Sequence, residues 1–149
     1  MHTLSTDLVD VLERLNRLHH DFKNEVNKEL IKYGLTLSKV RVLKAIEEHS
    51  GCNATDVMGI LNYSCRSITE SLESLELSEL ITRHKTPGNR KIKIITLTEQ
   101  GKDRLYFAMQ IRNLILTTLL SCLEETELTL FKGIINKIWF RHEQKKISQ

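Results

Sequence analysis

The sequence predicts a mainly α fold with one small β-hairpin, on three observations. Apolar residues recur at three-and-four spacing through most of the chain, an extended, alternating stretch interrupts them between Ile81 and Leu97, and the single proline, Pro87, falls inside that stretch beside Gly88 and Asn89. No repeat and no low-complexity linker divides the 149 residues, a length that suits one domain with a full core or a smaller module with helical extensions.

From about Ser5 to Lys32, Leu8, Val11, Leu12, Leu15, Leu18, Phe22, Val26 and Leu30 form the stripe of one long amphipathic helix, with Gly34 as its left-handed cap. A second helix has Ser38 near its start and Val40, Leu43 and Ile46 on its buried face, and ends before Ser50-Gly51. Asn53 is suited to cap a third, in which Ala54, Val57, Met58 and Leu61 are expected inside. After a turn at Asn62-Tyr63, Ser64 caps a fourth helix with Ile68, Leu72 and Leu75 inward and Arg66, Ser67, Glu70, Ser71 and Ser74 outward. Ile81 to Lys85 then pairs with Lys91 to Leu97 through Pro87-Gly88-Asn89, residues that tight turns require. Thr98 starts a fifth helix, densely apolar from Leu105 to Leu123. A last helix after Glu124-Glu125 turns Leu128, Phe131, Ile134, Ile135, Ile138 and Trp139 to one buried side.

Two short helices joined by a tight turn and followed by a hairpin outline a winged helix-turn-helix over residues 36–98, flanked by helical segments at 1–33 and 99–149. The hairpin carries Arg83, Lys85, Arg90, Lys91 and Lys93 and no acid between Thr82 and Lys93, giving +5 where the whole chain is +3. Concentrated positive charge suits phosphate binding, because each neutralised phosphate releases condensed counterions. A solvated strand face is the competing reading of the same run.

Other classes find little support. The stretch Ile111 to Leu123 holds Arg112, Asn113 and two threonines and is shorter than the ~20 apolar residues a bilayer crossing takes. The N-terminus lacks the charged start and apolar block of a signal peptide, so a cytoplasmic location is expected. Cys52, Cys65 and Cys122 show no CxxC spacing, and His19 and His20, adjacent on a helix, point about 100° apart, so neither a disulfide scaffold nor a metal site is expected. No cofactor is called for: a glycine-rich phosphate loop, a nucleophile elbow and a paired-carboxylate arrangement are all missing, which argues against an enzyme.

The terminal helices are more apolar than a ~60-residue module can cover, so their stripes need something outside it. A second copy of the chain is the simplest partner, and a two-fold dimer would set two recognition helices about one DNA turn apart on a near-palindromic site. Folding of these helices back onto the chain as a monomeric core is the alternative.

The order helix, helix, helix-turn-helix, wing, two helices, with Leu75-Glu76 closing the fourth helix and Leu97-Thr98-Glu-Gln-Gly101 leaving the wing, resembles the MarR (multiple antibiotic resistance regulator) family over nearly the whole chain. The resemblance implies a homodimeric bacterial transcription factor, usually a repressor, that binds double-stranded DNA and is released by a small phenolic or other aromatic effector or by thiol oxidation. The family's Asp-Arg-Arg wing motif falls on Asn89-Arg90-Lys91, its basic residue after the helix-four threonine falls on Glu70 after Thr69, and its glycine after the recognition helix falls on Glu79, where a different helix end is expected. The resulting DNA-contact candidates are Ser38 and Lys39 at the start of the second helix, Ser64, Arg66, Ser67, Thr69 and Glu70 at the start of the fourth, and Arg90 and Lys91 on the wing. From Ser64 to Glu76, Arg66 stands against Glu70, Glu73 and Glu76, a net of −2, so attraction to DNA must come mainly from the wing. A trigger has three candidate forms: an aromatic carboxylate held by Arg17, His20 and Arg41; oxidation of Cys65, whose thiolate the helix dipole would favour; or none, with activity set by protein level. A winged-helix module docking on an acidic protein partner is the reading from a different class.

Overall fold

A computed structural model of the chain describes residues 6–86 and 88–147, without the side chains of Thr6, Asn89, Arg90, Lys91 and Ile147. The elements are α1 (Thr6–Ile31), α2 (Leu37–Glu48), α3 (Ala54–Leu61), α4 (Cys65–Leu77), β1 (Ile81–Thr86), β2 (Asn89–Leu97), α5 (Glu99–Leu120) and α6 (Glu125–Ile147). The chain divides into two compact units, Met1–Asn113 and Leu114–Gln149, with the boundary inside α5.

In the first unit, the core is drawn from the C-terminal end of α1 (Val26, Leu30), from α2 (Val40, Val42, Leu43, Ala45, Ile46), from Val57 of α3, from Ile68, Leu72 and Leu75 of α4, and from Leu80, Ile81, Ile95, Leu105 and Ala108. Each large aliphatic side chain buried there contributes about 1.5–3 kcal/mol. The inward positions expected of α4 are all in this core. Ala54, expected inside, is exposed, and Met58 and Leu61 are only half-buried, because an eight-residue helix turns just Val57 fully inward. Ser71 and Ser74, expected outside, flank the buried Leu72 and Leu75 and are half-buried.

Local caps account for the helix boundaries. Gly34, at φ +72°, ends α1: its N–H donates to Ile31 O at 3.0 Å and the Leu35 N–H donates to Leu30 O at 3.1 Å, the paired bonds of a Schellman cap. Thr36 caps α2 by accepting from the Lys39 N–H, and Asn27 Oδ1 of α1 accepts the Leu37 N–H at 2.7 Å. At α3, Asn53 and Asp56 exchange bonds in a capping box. Asn62, left-handed at φ +53°, makes the turn into Ser64, whose Oγ accepts from the Ser67 N–H.

α4 ends in the same cap as α1. Glu79 N–H donates to Glu76 O at 2.9 Å and Leu80 N–H to Leu75 O at 3.0 Å, with Glu79 itself at φ +57°. The different helix end expected from the absence of glycine does not occur; a glutamate is held in the left-handed conformation instead, at a cost of about 1–2 kcal/mol. Two bonds from the following segment hold that turn, and a third caps the helix after it. Thr98 N–H donates to Leu80 O at 3.1 Å, Thr98 Oγ1 donates to Glu79 O at 2.7 Å, and Thr98 Oγ1 accepts from Gly101 N–H at 2.9 Å, capping α5. A Cβ on Gly101 would overlap the Leu80 carbonyl oxygen, so α5 crosses the end of α4 where only glycine fits.

β1 and β2 form an antiparallel two-stranded sheet with Ile81 opposite Leu97, Thr82 opposite Thr96, Arg83 opposite Ile95, His84 opposite Ile94 and Lys85 opposite Lys93. The register then shifts so that Thr86 pairs with Asn89, making both strands longer than the sequence suggests. Thr86 Oγ1 donates to Ile92 O at 3.1 Å across that irregularity. The base of the hairpin is tied to the body by Ile95 N–H donating to Cys52 O at 2.9 Å.

The apolar stripe of α1 is uncovered over its first half: Leu8, Val9, Val11, Leu12 and Leu18 are exposed. In the second unit, α6 exposes Phe131, Ile134, Ile135, Ile138 and Trp139, and also Leu130 and Phe140 on other sides; Leu128 alone of its expected inward positions is half-buried. Within a single chain these residues lack the burial their pattern predicts. No helix among the described residues is long and apolar enough to cross a membrane.

Candidate nucleic-acid interface

The first two turns of α4 carry most of the candidate contacts. Successive residues turn by about 100°, so Arg66 stands opposite the buried line Ile68, Leu72 and Leu75, with Glu70 one turn on along the same exposed face. Arg66 Nε lies 2.7 Å from Glu70 Oε1, and the two side chains are 88% and 61% exposed. Ser64 Oγ donates to Ser67 Oγ at 2.9 Å and accepts the Ser67 N–H at 3.2 Å. Thr69 turns its hydroxyl proton back to Cys65 O at 2.9 Å, leaving its lone pairs outward. The free amides of a first helical turn and these hydroxyls suit a phosphate.

The wing supplies the positive charge, though not with all five cations counted in the sequence. Arg83 faces inward beside Ile95, with Nε 3.0 Å from Glu76 Oε2 of α4 and a side chain only 20% exposed. The approach is off the N–H direction: Nε and Nη2, both shut off from solvent, have no hydrogen-bond acceptor among the described residues. The guanidinium is therefore held by charge attraction and packing, joining the wing to the recognition helix rather than facing solvent. Lys85 and Lys93 lie farther out, exposed and directly opposite each other. Like charges on paired positions repel, and an anion alongside them removes that penalty. Nothing in the sequence alone sets these two apart from the other wing cations; their register in the folded hairpin is the signal that singles them out. Arg90 and Lys91 lie in β2, and their side chains are outside the described residues.

Ser38 and Lys39 sit half-buried in the first turn of α2, where Lys39 Nζ donates to Gly34 O at 3.5 Å.

Of the three effector candidates, Arg41 lines a recess of about 130 Å³ bounded by His19, Phe22, Lys23, Leu37, Val40, Arg41, Lys44, Met109 and Arg112. Arg17 and His20 are exposed on α1 and do not line it. The half-buried Phe22 and buried Val26 define the inner side of α1, and His19 and Lys23 flank that side; reading α1 against its buried end selects them. The wall has Lys23, Arg41, Lys44, Arg112 and His19 around an apolar floor, with no acid. Arg41 Nη1 also donates to Tyr63 Oη at 3.4 Å, in the turn that leads into α4.

Cys65 is exposed as the first residue of α4, and Cys122 is exposed after α5. Cys52 is buried, and its thiol is pushed above the ordinary value by desolvation, with the nearby Asp56 carboxylate adding to the effect. No group of three or more His, Cys, Asp or Glu among the described residues is placed to hold a metal ion.

A helix start opposed to its own core, joined to a hairpin that carries paired lysines, defines a winged helix-turn-helix. Residues 35–93, which span the helix-turn-helix and most of the wing, match the model of the MarR family. The chain is 24% identical over 72 residues to the HTH-type transcriptional regulator YdgJ of Bacillus subtilis (strain 168), a match that covers 48% of this chain and spans less than half, 44%, of that relative. It is 23% identical over 129 residues to the HTH-type transcriptional repressor MdtR of the same organism, covering 87% of this chain and 83% of that one. The fold matches the crystal structure of the S. aureus MepR–DNA complex with a TM-score of 0.72 at 22% identity, over 87% of this chain and 96% of that chain.

Proposed function

We propose that the chain is a homodimeric transcription regulator, acting as a repressor, that reads a near-palindromic operator with α4 in the major groove and the wing in the minor groove. The observation that carries this reading is the pairing of an exposed recognition-helix start with a wing whose outer lysines face each other without a counterion among the described residues. The family match supports DNA binding, the MepR relative was solved with DNA, and the MdtR relative is a repressor. Ser64, Arg66, Ser67, Thr69 and Glu70 meet base edges and phosphates, Lys85, Arg90, Lys91 and Lys93 meet the backbone along the minor groove, and Ser38 and Lys39 add backbone contacts. The exposed apolar residues of α1 and α6 support a second copy as partner. α6 is apolar on more than one side, which suits a helix enclosed between elements of a dimer better than one lying flat on a surface.

The cationic recess supports a small anionic effector with an apolar body, including an aromatic carboxylate. Such a ligand competes with Tyr63 for Arg41 and so acts on the turn that orients α4.

Hydroxyl-radical footprinting of the protein on its upstream DNA, with the complex mass measured in parallel, tests the proposal. Two protected segments about 10–10.5 base pairs apart, made by two chains, are expected. Protection of a single segment by one chain contradicts the dimer, and binding to an acidic protein without any duplex binding contradicts the regulator.

A further inference from the structure

We infer that Arg66 and Glu70 act as one base-reading unit, with Glu70 positioning Arg66 for a guanine and itself accepting from a cytosine amino group, so that each half-site carries a required G·C pair. This rests on the DNA-binding reading above and adds the base it selects.

Stability does not account for the ion pair. An exposed i, i+4 pair on a helix gains little, because water and salt screen it and two long side chains must be held in one geometry. The order here, cation first and acid later, is also the less favourable one. Arg66 further stands in the first helical turn, where the helix dipole disfavours a cation. Neither side chain packs on the core, and both project opposite Ile68, Leu72 and Leu75. The other bonds in this region are also local: Ser64 and Ser67 bond each other, and Glu76 is engaged with Arg83 at the far end of α4.

The geometry specifies a use. Glu70 takes Arg66 Nε at 2.7 Å, which fixes the plane of the guanidinium and leaves the two Nη groups as the free end of the fork. A guanidinium fork matches guanine O6 and N7 in the major groove, and a carboxylate there accepts only from an amino group, N4 of cytosine or N6 of adenine. Glu70 Oε1 is engaged, so Oε2 remains to accept from the cytosine of the same pair or its neighbour. The carboxylate further repels phosphates, so a helix of net −2 gains little from non-specific approach. Binding of this helix then depends on meeting the right base.

The test is selection from a duplex library randomised across the half-sites, followed by affinities for the selected site and for variants in which the G·C pair is changed. Wild type, Arg66→Ala, Glu70→Gln and Glu70→Ala are compared, each checked for unchanged helical content and melting. The expected result is one G·C position per half-site preferred by wild type by about tenfold or more, abolished in Arg66→Ala and reduced several-fold in both Glu70 variants. The same G·C preference in Glu70→Gln as in wild type overturns the inference, as does a Glu70 variant that merely binds every sequence more tightly. Sequence-specific binding without any G·C position under α4 overturns the inference while leaving the regulator reading intact. Failure of wild type to bind any duplex overturns both.

Discussion

Replacing Glu79 by glycine should stabilise the protein, although it deletes a side chain and adds none. Glu79 sits at φ +57° in a Schellman cap whose counterpart at the end of α1 is occupied by Gly34 at φ +72°. A left-handed L-residue costs about 1–2 kcal/mol, and the greater freedom of glycine in the unfolded chain gives back about 0.5–1 kcal/mol of that. The net expectation for Glu79→Gly is a gain of about 0.5–1 kcal/mol, or roughly 1–4 °C in Tm for a chain of this size. Glu79→Ala keeps the strain and should change little. Gly34→Ala should destabilise about as much as Glu79→Gly stabilises, since a Cβ there meets nothing within 4 Å and the cost is purely that of the backbone. Urea denaturation of the set at one fixed protein concentration measures this, because association would otherwise shift the midpoint. A Glu79→Gly variant no more stable than wild type, with Glu79→Ala also unchanged, would refute the idea that left-handed strain is stored at this cap.

The other predictions concern the α5 crossing, the wing and the buried thiol. Gly101→Ala should cost about 1–3 kcal/mol or more, since its Cβ meets the backbone carbonyl of Leu80 and not a movable side chain; an unchanged denaturation midpoint would contradict the close crossing. Lys85→Ala with Lys93→Ala should flatten the slope of log affinity against log salt by about 0.9 for each phosphate that is no longer neutralised. Arg83→Ala, by contrast, should lower stability by removing the packing of its largely buried side chain and its attraction to Glu76, and leave the salt slope nearly unchanged; the reverse pattern would mean that Arg83 and not the outer lysines meets phosphate. Cys65 should react with a thiol reagent in the native protein while Cys52 reacts only on unfolding. The raised Cys52 pKa also fixes a sign: below the ordinary thiol range both states are protonated, and as pH rises through it the unfolded chain loses its proton first, so stability falls. Comparison with Cys52→Ala isolates that contribution, and equal alkaline slopes in the two proteins would contradict it.

Much of the fold is legible in the sequence because periodicity and caps are local signals. The inward line of α4, the caps at Asn53 and Ser64, the left-handed Gly34 and the hairpin all follow from residues within a few positions of one another. What the sequence hides depends on partners distant in the chain. Arg83 reads as one more wing cation, and only the return of the wing past Glu76 takes it out of the exposed set. Arg17 and His20 stand out in the sequence where His19 and Lys23 line the recess, because the direction of α1 is fixed by which end of its stripe meets α2, and a continuous stripe does not say. Spacing alone misplaces Ala54, Ser71 and Ser74, since it assumes a helix embedded along its full length. Glu79 shows the converse: a missing glycine marks strain, and strain is accepted where two bonds from the Thr98 backbone and side chain hold the turn.

Whether this chain is a dimeric DNA-binding regulator is decided most simply by the affinity of the purified protein for its upstream duplex across a salt series, with the stoichiometry of the complex recorded. Two chains per site and a steep negative slope are expected, on the order of −4 to −7 if the outer wing cations of both chains each meet phosphate. Weak binding with a slope near zero, or a complex containing one chain, would contradict it.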